Sequence, residues 1–162
     1  MYKKIWDKVL SNEEKVEFEF SISDRYCKFN FWFYSLINLF FILPIFSLLL
    51  TQSKATAFMF FVFFEAALWF KFLFYLKASN AYAFTNKRVL IHRGWLNTGV
   101  ISIDYDKITD IMVIEPFIER ILFKTGALKV NTAGTGSHEV VLWYISEPYE
   151  IKKKLDLIRS TK

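Results

Sequence analysis

The chain is poor in the residues that build reactive sites. It has one cysteine, Cys27, and two histidines, His92 and His138. A single cysteine excludes an internal disulfide and any multi-cysteine zinc site, and leaves only a weak case for acylation. Neither histidine has Cys, Asp or Glu at metal-ligand spacing, so no metal is expected. Glycine numbers five. The one glycine-rich stretch, Ala133-Gly134-Thr135-Gly136-Ser137, lies between two strand-like segments. A phosphate loop needs a helix N-terminus behind it, so this stretch reads as a hairpin tip and no cofactor is implied. Asp104, Asp106 and Asp110 lack calcium-loop spacing. No Ser/His/Asp signature is present, and no residue is assigned a catalytic role. No short apolar core with a small-residue cleavage site precedes the first long apolar run, which argues against a signal peptide. The net charge is +5. That is too mild to indicate nucleic acid, but it suits an anionic membrane surface.

The excess lies in apolar length. Hydrophobic residues make up 54% of the chain, and Phe alone numbers 19, most of them in or beside two runs at 29–50 and 55–76. Each run is about 22 residues, enough to cross a hydrocarbon core of roughly 30 Å as a helix. Only Gln52, Ser53 and Lys54 clearly separate them. The expected architecture is a transmembrane helical hairpin over 29–77, between an N-terminal cytoplasmic segment, 1–28, and a cytoplasmic domain, 78–162. Lys15, Arg25 and Lys28 precede the hairpin, and Lys77, Lys87, Arg88 and Arg93 follow it, against Lys54 alone in the connection. The positive-inside rule then places both termini in the cytoplasm of a multi-pass protein of the cell membrane. Trp32, Tyr34, Trp69 and Tyr75 fall towards the inner ends, where half-polar rings are common.

Two charges interrupt the second run. Lys71 is near the inner end and can snorkel. Glu65 is near the middle, where a charge is costly. The two stand about 120° apart around a helix and do not pair. Glu65 is either part of a proton or ion pathway, as in a small transporter or channel subunit, or a protonated or partnered carboxyl facing another helix. The second reading is favoured. It implies self-association, because two helices have little interior in which to hide a polar group.

The flanks carry other periods. Ile5, Trp6, Val9 and Leu10 share one face of a short helix, which would lie in the membrane surface or pack on the soluble domain. Val16, Phe18, Phe20 and Ile22 alternate with Glu17, Glu19 and Ser21, the period of a half-buried strand. Beyond the membrane, residues 81–84 and 88–92 flank the turn Thr85-Asn86-Lys87. Further strands are expected at 100–103, 108–114, 127–132 and 139–145. Residues 117–123 suggest a helical turn with Phe117, Ile121 and Leu122 on one side, stopped by Gly126. Pro148 opens a last helix, with Ile151, Leu155 and Ile158 at helical spacing. Several short strands followed by one amphipathic helix make an α+β, mainly-β barrel or sandwich capped by that helix, the outline of a pleckstrin-homology-like domain.

These residues carry a resemblance. Tyr82-Ala83-Phe84-Thr85-Asn86-Lys87-Arg88-Val89-Leu90-Ile91 and Arg93-Gly94 lead it. Ile103, Lys107-Ile108, Asp110-Ile111, Val113, Pro116-Phe117 and Glu119-Arg120-Ile121-Leu122 continue it, and Gly126, Leu128, Val130, Thr132-Ala133-Gly134 and Pro148 complete it. In this order and spacing the chain resembles the bacterial membrane-flanked PH-like domain family (DUF304), over about residues 80–160. The resemblance implies a PH-like module held at the inner membrane face by two helices, and no reaction. Members often carry a basic residue after the Gly-x-Leu turn. Here Gly94-Trp95-Leu96-Asn97-Thr98-Gly99 has none, so a headgroup site needing charge there would be lacking.

Candidate contacts follow. Lys87, Arg88 and Arg93 form the best basic cluster for lipid, unless they are a solvated face plus an arginine locking the hairpin. Lys152-Lys153-Lys154 is a solvated helix face or a contact with lipid or an acidic partner. Trp95 either inserts into the interface or caps the barrel. The leading expectation is a non-enzymatic, membrane-anchored scaffold or adaptor that binds a protein partner or itself as a homo-oligomer. The alternative is a sensor of anionic membrane lipids through the basic hairpin.

Overall fold

In the computed structural model, residues 3–42, 44–45, 48, 54–133 and 140–160 are described. They form two compact units, one built from 1–23 with 78–162 and the other from 24–77. The N-terminal piece, read from the sequence as a separate segment, thus belongs with the C-terminal domain.

That domain starts with a short helix α1 (Lys3–Trp6) and strand β1 (Val16–Ser21). It resumes after the helical unit with β2 (Asn80–Thr85), β3 (Arg88–Arg93) and β4 (Gly99–Asp104). A 3-10 turn (Tyr105–Lys107) leads to β5 (Ile108–Ile114). Two helices, α2 (Asp24–Ile37) and α3 (Lys54–Trp69), belong to the other unit; the domain continues with α4 (Phe117–Phe123), β6 (Thr125–Thr132), β7 (Val140–Ser146) and α5 (Pro148–Ser160). The strands make two antiparallel sheets, β1-β2-β3-β4 and β5-β6-β7.

The core lies between the sheets. Tyr82, Phe84, Val89 and Ile91 meet Leu128, Val130 and Leu142, and Ile151 and Leu155 of α5 close the layer. The spacing of Ile151 and Leu155 puts both on the inner face of an amphipathic helix. The first sheet is also covered on its other face. Trp6, 1% exposed, packs there with Ala81, Ala83 and Leu90, and Ile5, Val9, Leu10 and Val16 border it. The small side chains of Ala81 and Ala83 leave room for the indole. With both faces covered, β2 and β3 are buried almost continuously, as expected of strands with no wet face. The N-terminal apolar face therefore packs on the domain, the second of its two expected settings.

One local expectation changes. Helix α4 ends on Lys124, which takes the left-handed conformation (φ 50°) and whose N–H bonds back to Glu119 and Arg120. Gly126 is not the stop. It lies in β6, where a Cβ would come 2.5 Å from the Ile114 carbonyl oxygen and 3.0 Å from Pro148 Cγ. Its bareness permits close approach of two backbones. Phe117, Ile121 and Leu122 of α4 are exposed, and Phe123 is its buried anchor.

The second unit holds α2 (Asp24–Ile37), which continues as a π-helical turn (Asn38–Ile42), and α3 (Lys54–Trp69), which continues through a π-helical stretch (Phe70–Tyr75); a last α turn (Leu76–Ser79) starts in this unit and ends in the first. Among the described residues one helix, Phe58–Ser79, is long and apolar enough to cross a membrane. Little of it is buried, and Met59 and Phe63 are 70% and 67% exposed. Residues 43, 46–47 and 49–53, in the second half of the first apolar run and the connection after it, fall outside the described residues, and one span stands where the sequence suggested two.

Candidate functional site

The densest polar arrangement in the domain centres on a residue that the sequence reading did not single out, Glu14. Its side chain is fully buried. Oε1 accepts from Thr85 Oγ1 at 2.8 Å and Arg88 Nε at 2.9 Å. Oε2 accepts from Arg88 Nη2 at 2.8 Å, and from Ser11 N and Ser11 Oγ at 3.0 Å each. Arg88 is further held by donation to the Val9 carbonyl at 3.1 Å and to Ser102 Oγ at 3.0 Å. Asn86, at the tip of the same hairpin, accepts from Lys15 N at 2.9 Å and donates to the carbonyls of Lys15 and Glu13. Thr85, Asn86 and Arg88 thus clamp residues 9–15 onto the β2–β3 hairpin.

Burial would raise the Glu14 carboxyl, but the hydrogen bonds from Arg88, the Ser11 amide, Thr85 and the Ser11 hydroxyl outweigh it and hold the group down to about 2. Five donors saturate the carboxylate. It has no free lone pair with which to act as a base, so this is a latch rather than a reactive centre. Two sequence signals pointed to it. Ser11-x-x-Glu14 has capping-box spacing, and Thr85-Asn86-Lys87-Arg88 lies within the family resemblance.

The latch dissolves the expected basic cluster. Arg88 is committed to Glu14, the locking role that the sequence left open. Arg93 donates from Nη2 to the Val141 carbonyl at 2.6 Å, tying β3 to β7. Lys87 is exposed at the hairpin tip, 3.5 Å from the Asn12 carbonyl. Lys87 and Arg88 lie at the end of the hairpin opposite Asn80, where the chain enters from α3. Five residue steps of strand separate these ends, about 17 Å. Arg93, paired with Asn80, lies at the α3 end.

The lysine triplet is also divided. Lys153 pairs with Glu150 at 2.7 Å, Lys154 Nζ lies 3.9 Å from the centroid of the Phe18 ring, and Lys152 is half-buried. The Phe18 contact is a cation–π arrangement that holds α5 against β1. Trp95 is exposed in the β3–β4 loop, beside Leu96. Gly94, which opens that loop, has φ +93° and a Cβ position 1.8 Å from the Asn97 carbonyl oxygen, so only glycine fits. His92 is buried on β3, and burial lowers its pKa. His138 and the Gly134–Ser137 stretch fall outside the described residues. Among the described residues no three His, Cys, Asp or Glu side chains gather as a metal site.

Within the helical unit, Glu65 accepts from Ser35 Oγ at 2.7 Å and from Asn38 Nδ2 at 3.0 Å. The glutamate finds its partners on the first helix of its own chain, so it does not require a second copy. Lys71 stands apart, its Nζ 5.1 Å from the Phe72 ring centroid.

Residues 37–157 match the family model of the bacterial PH domain. The chain belongs to the bacterial PH domain family. No curated protein matches it. Among solved structures, it is similar to a DUF1696 family protein with a pleckstrin-homology domain from Shewanella loihica PV-4. The identity is 21%, over 49% of this chain and 71% of that one, with a TM-score of 0.38. It is also similar to a pleckstrin homology domain from Shewanella amazonensis SB2B, at 21% identity over 46% and 62% of the two chains, with a TM-score of 0.36. The match to the bacterial PH domain begins inside α2. It therefore includes Thr85, Asn86 and Arg88 of the latch but leaves out Glu14 and all of β1.

Proposed function

We propose that this bacterial PH domain is a non-enzymatic scaffold or adaptor, anchored in the cell membrane by a two-helix hairpin with both termini in the cytoplasm, and that it binds a protein partner or a second copy of itself. The carrying observation is the pairing of β1 with β2. These strands precede and follow the helical unit, yet they are antiparallel neighbours in one sheet, with Ser21 opposite Ala81. An odd number of crossings between them would leave the two strands on opposite sides of the bilayer. If Phe58–Ser79 spans, the stretch before it must span as well. The distribution of Lys and Arg then sets the side. A role without chemistry fits a domain in which the one buried carboxylate among the described residues is saturated by donors. Lipid sensing through Lys87, Arg88 and Arg93 has less support, because Arg88 and Arg93 are engaged and Lys87 is at the hairpin tip remote from the helix connection.

Single cysteines in a Cys27→Ala background test the topology. A membrane-impermeant maleimide applied to intact cells is expected to label Ser53→Cys and to spare Ser160→Cys. Equal labelling, or the reverse, refutes the hairpin. Purification of the full chain in mild detergent tests the role: a stoichiometric protein partner or a defined oligomer is expected, and a monomer carrying lipid alone refutes it.

A further inference from the structure

We propose that the end of the domain from which both helices leave is a membrane-dipping surface, in which α4 and the β3–β4 loop insert apolar side chains into the bilayer interface beside the anchor. The inference rests on the anchored reading above and goes beyond it, since anchoring alone would leave the domain free in water.

The strand registers define this end. The chain departs after Ser23 and returns at Asn80. Ser23 N donates to the Tyr144 carbonyl at 2.8 Å, and Ser146 Oγ lies 2.8 Å from Ser23 Oγ. Ser146 pairs with Thr125, the first residue of β6, and Glu147 N donates at 3.1 Å to the carbonyl of Lys124, the cap of α4. Helix α4 is therefore a strand pairing away from the point of departure. On the return side, Asn80 pairs with Arg93, Arg93 pairs with Gly99, and Gly94 N donates to the Ser79 carbonyl at 2.8 Å. The loop 94–98 is thus beside the point of return.

Exposed apolar side chains concentrate at this end. Leu96 is 89% exposed, and Phe117, Ile118, Ile121 and Leu122 are each more than half exposed. Four large apolar residues turned outward on a helix of seven are uneconomical in water. Arg120 and Lys124 are exposed on the same helix, while Glu119, its one acid, is half-buried. Apolar groups flanked by cations fit an anionic lipid surface, which takes the hydrocarbon into its acyl boundary and the cations among its phosphates. The connections support the same occupant. Two residues separate β1 from α2, and none separates the last turn of the spanning helix from β2. Such tethers hold this end within reach of the headgroups.

The test uses the full-length Cys27→Ala protein in phosphatidylcholine–phosphatidylglycerol vesicles, with an NBD label on a single cysteine at Ile118→Cys, Leu96→Cys or Lys87→Cys. All three positions are exposed, so the substitutions leave the fold intact. Flotation with the vesicles after alkaline washing reads the anchor. Quenching by lipids carrying a shallow doxyl group reads insertion. The expected result is flotation, loss of most emission with a blue shift at positions 118 and 96, and neither change at position 87. Flotation with no quenching at 118 and 96 overturns this inference and leaves the anchor standing. Failure to float overturns both. Quenching or a blue shift that disappears on dilution to one copy per vesicle also overturns it, by assigning the surface to a second copy.

Discussion

Replacing Glu14 by Gln keeps the size of the side chain and removes its charge. In the folded domain the carboxyl is held from its ordinary 4.5 down to about 2, a difference worth about 3 kcal/mol. Arg88 is 24% exposed and regains some hydration when its partner is neutral, so the net loss is about 2–3 kcal/mol. The loss should appear first where the latch acts, in the docking of residues 5–20. Hydrogen exchange of that segment in detergent-solubilised full-length protein should speed up by roughly 30- to 150-fold, while β6 and β7 change less. Removing Arg88 as well should add little, because both substitutions break the same interaction. The pH dependence has a definite sign. The folded-state value lies below the unfolded one, so Glu14 contributes its full stability above pH 4.5 and loses it as the pH falls through about 2. Thermal unfolding curves of the parent and Glu14→Gln should converge over that window. Exchange within twofold of the parent, or a constant gap between the two curves down to pH 2, would refute the latch.

Other substitutions test separate parts of the structure. Glu65→Leu deprives Ser35 and Asn38 of their acceptor and should weaken helix pairing by about 1 kcal/mol in an unfolding titration with SDS; an unchanged midpoint would show that the pairing does not depend on this carboxylate. Gly126→Ala sets a methyl against the Ile114 carbonyl, a backbone atom that cannot swing aside, and should lower thermal stability by about 1–3 kcal/mol; full stability would mean that this carbonyl does not crowd the position. Ala83→Leu fills the space that Trp6 occupies and should release residues 5–10 to faster hydrogen exchange, with a cost of about 1–3 kcal/mol. No change there would mean that the indole is not seated on Ala83.

Much of the scaffold was legible in the chain. The alternation of Val16, Phe18 and Phe20 with Glu17 and Glu19 marked β1, and Thr85-Asn86-Lys87 marked the turn of the β2–β3 hairpin. Pro148 and the spacing of Ile151 and Leu155 marked α5. Period and turn chemistry are properties of neighbours in sequence, so they survive without a fold. The reading was weaker where a residue's meaning came from afar. Gly126 looked like a helix stop because a short helix precedes it, but its constraint is the carbonyl of Ile114 on the adjacent strand. The helical turn at 117–123 was legible, with Phe117, Ile121 and Leu122 on one side, but nothing local reveals which side faces inward.

The sequence by itself determined that the chain contains an apolar helix long enough for a bilayer, a set of short strands and a closing amphipathic helix. Only the tertiary structure decided what the charges do. Arg88 meets Glu14 across 74 positions of sequence, and Glu65 meets Ser35 across 30. The tertiary structure also decided that β1 and β2, which precede and follow the helices in sequence, pair in one sheet, which gives the domain two distinct ends. Lys87 and Arg88 were placed at one end, and Leu96 and Ile118 at the other. The reason is physical: a side chain's charge and apolarity are written in its own residue, but its burial and its partners depend on backbone brought together from far along the chain.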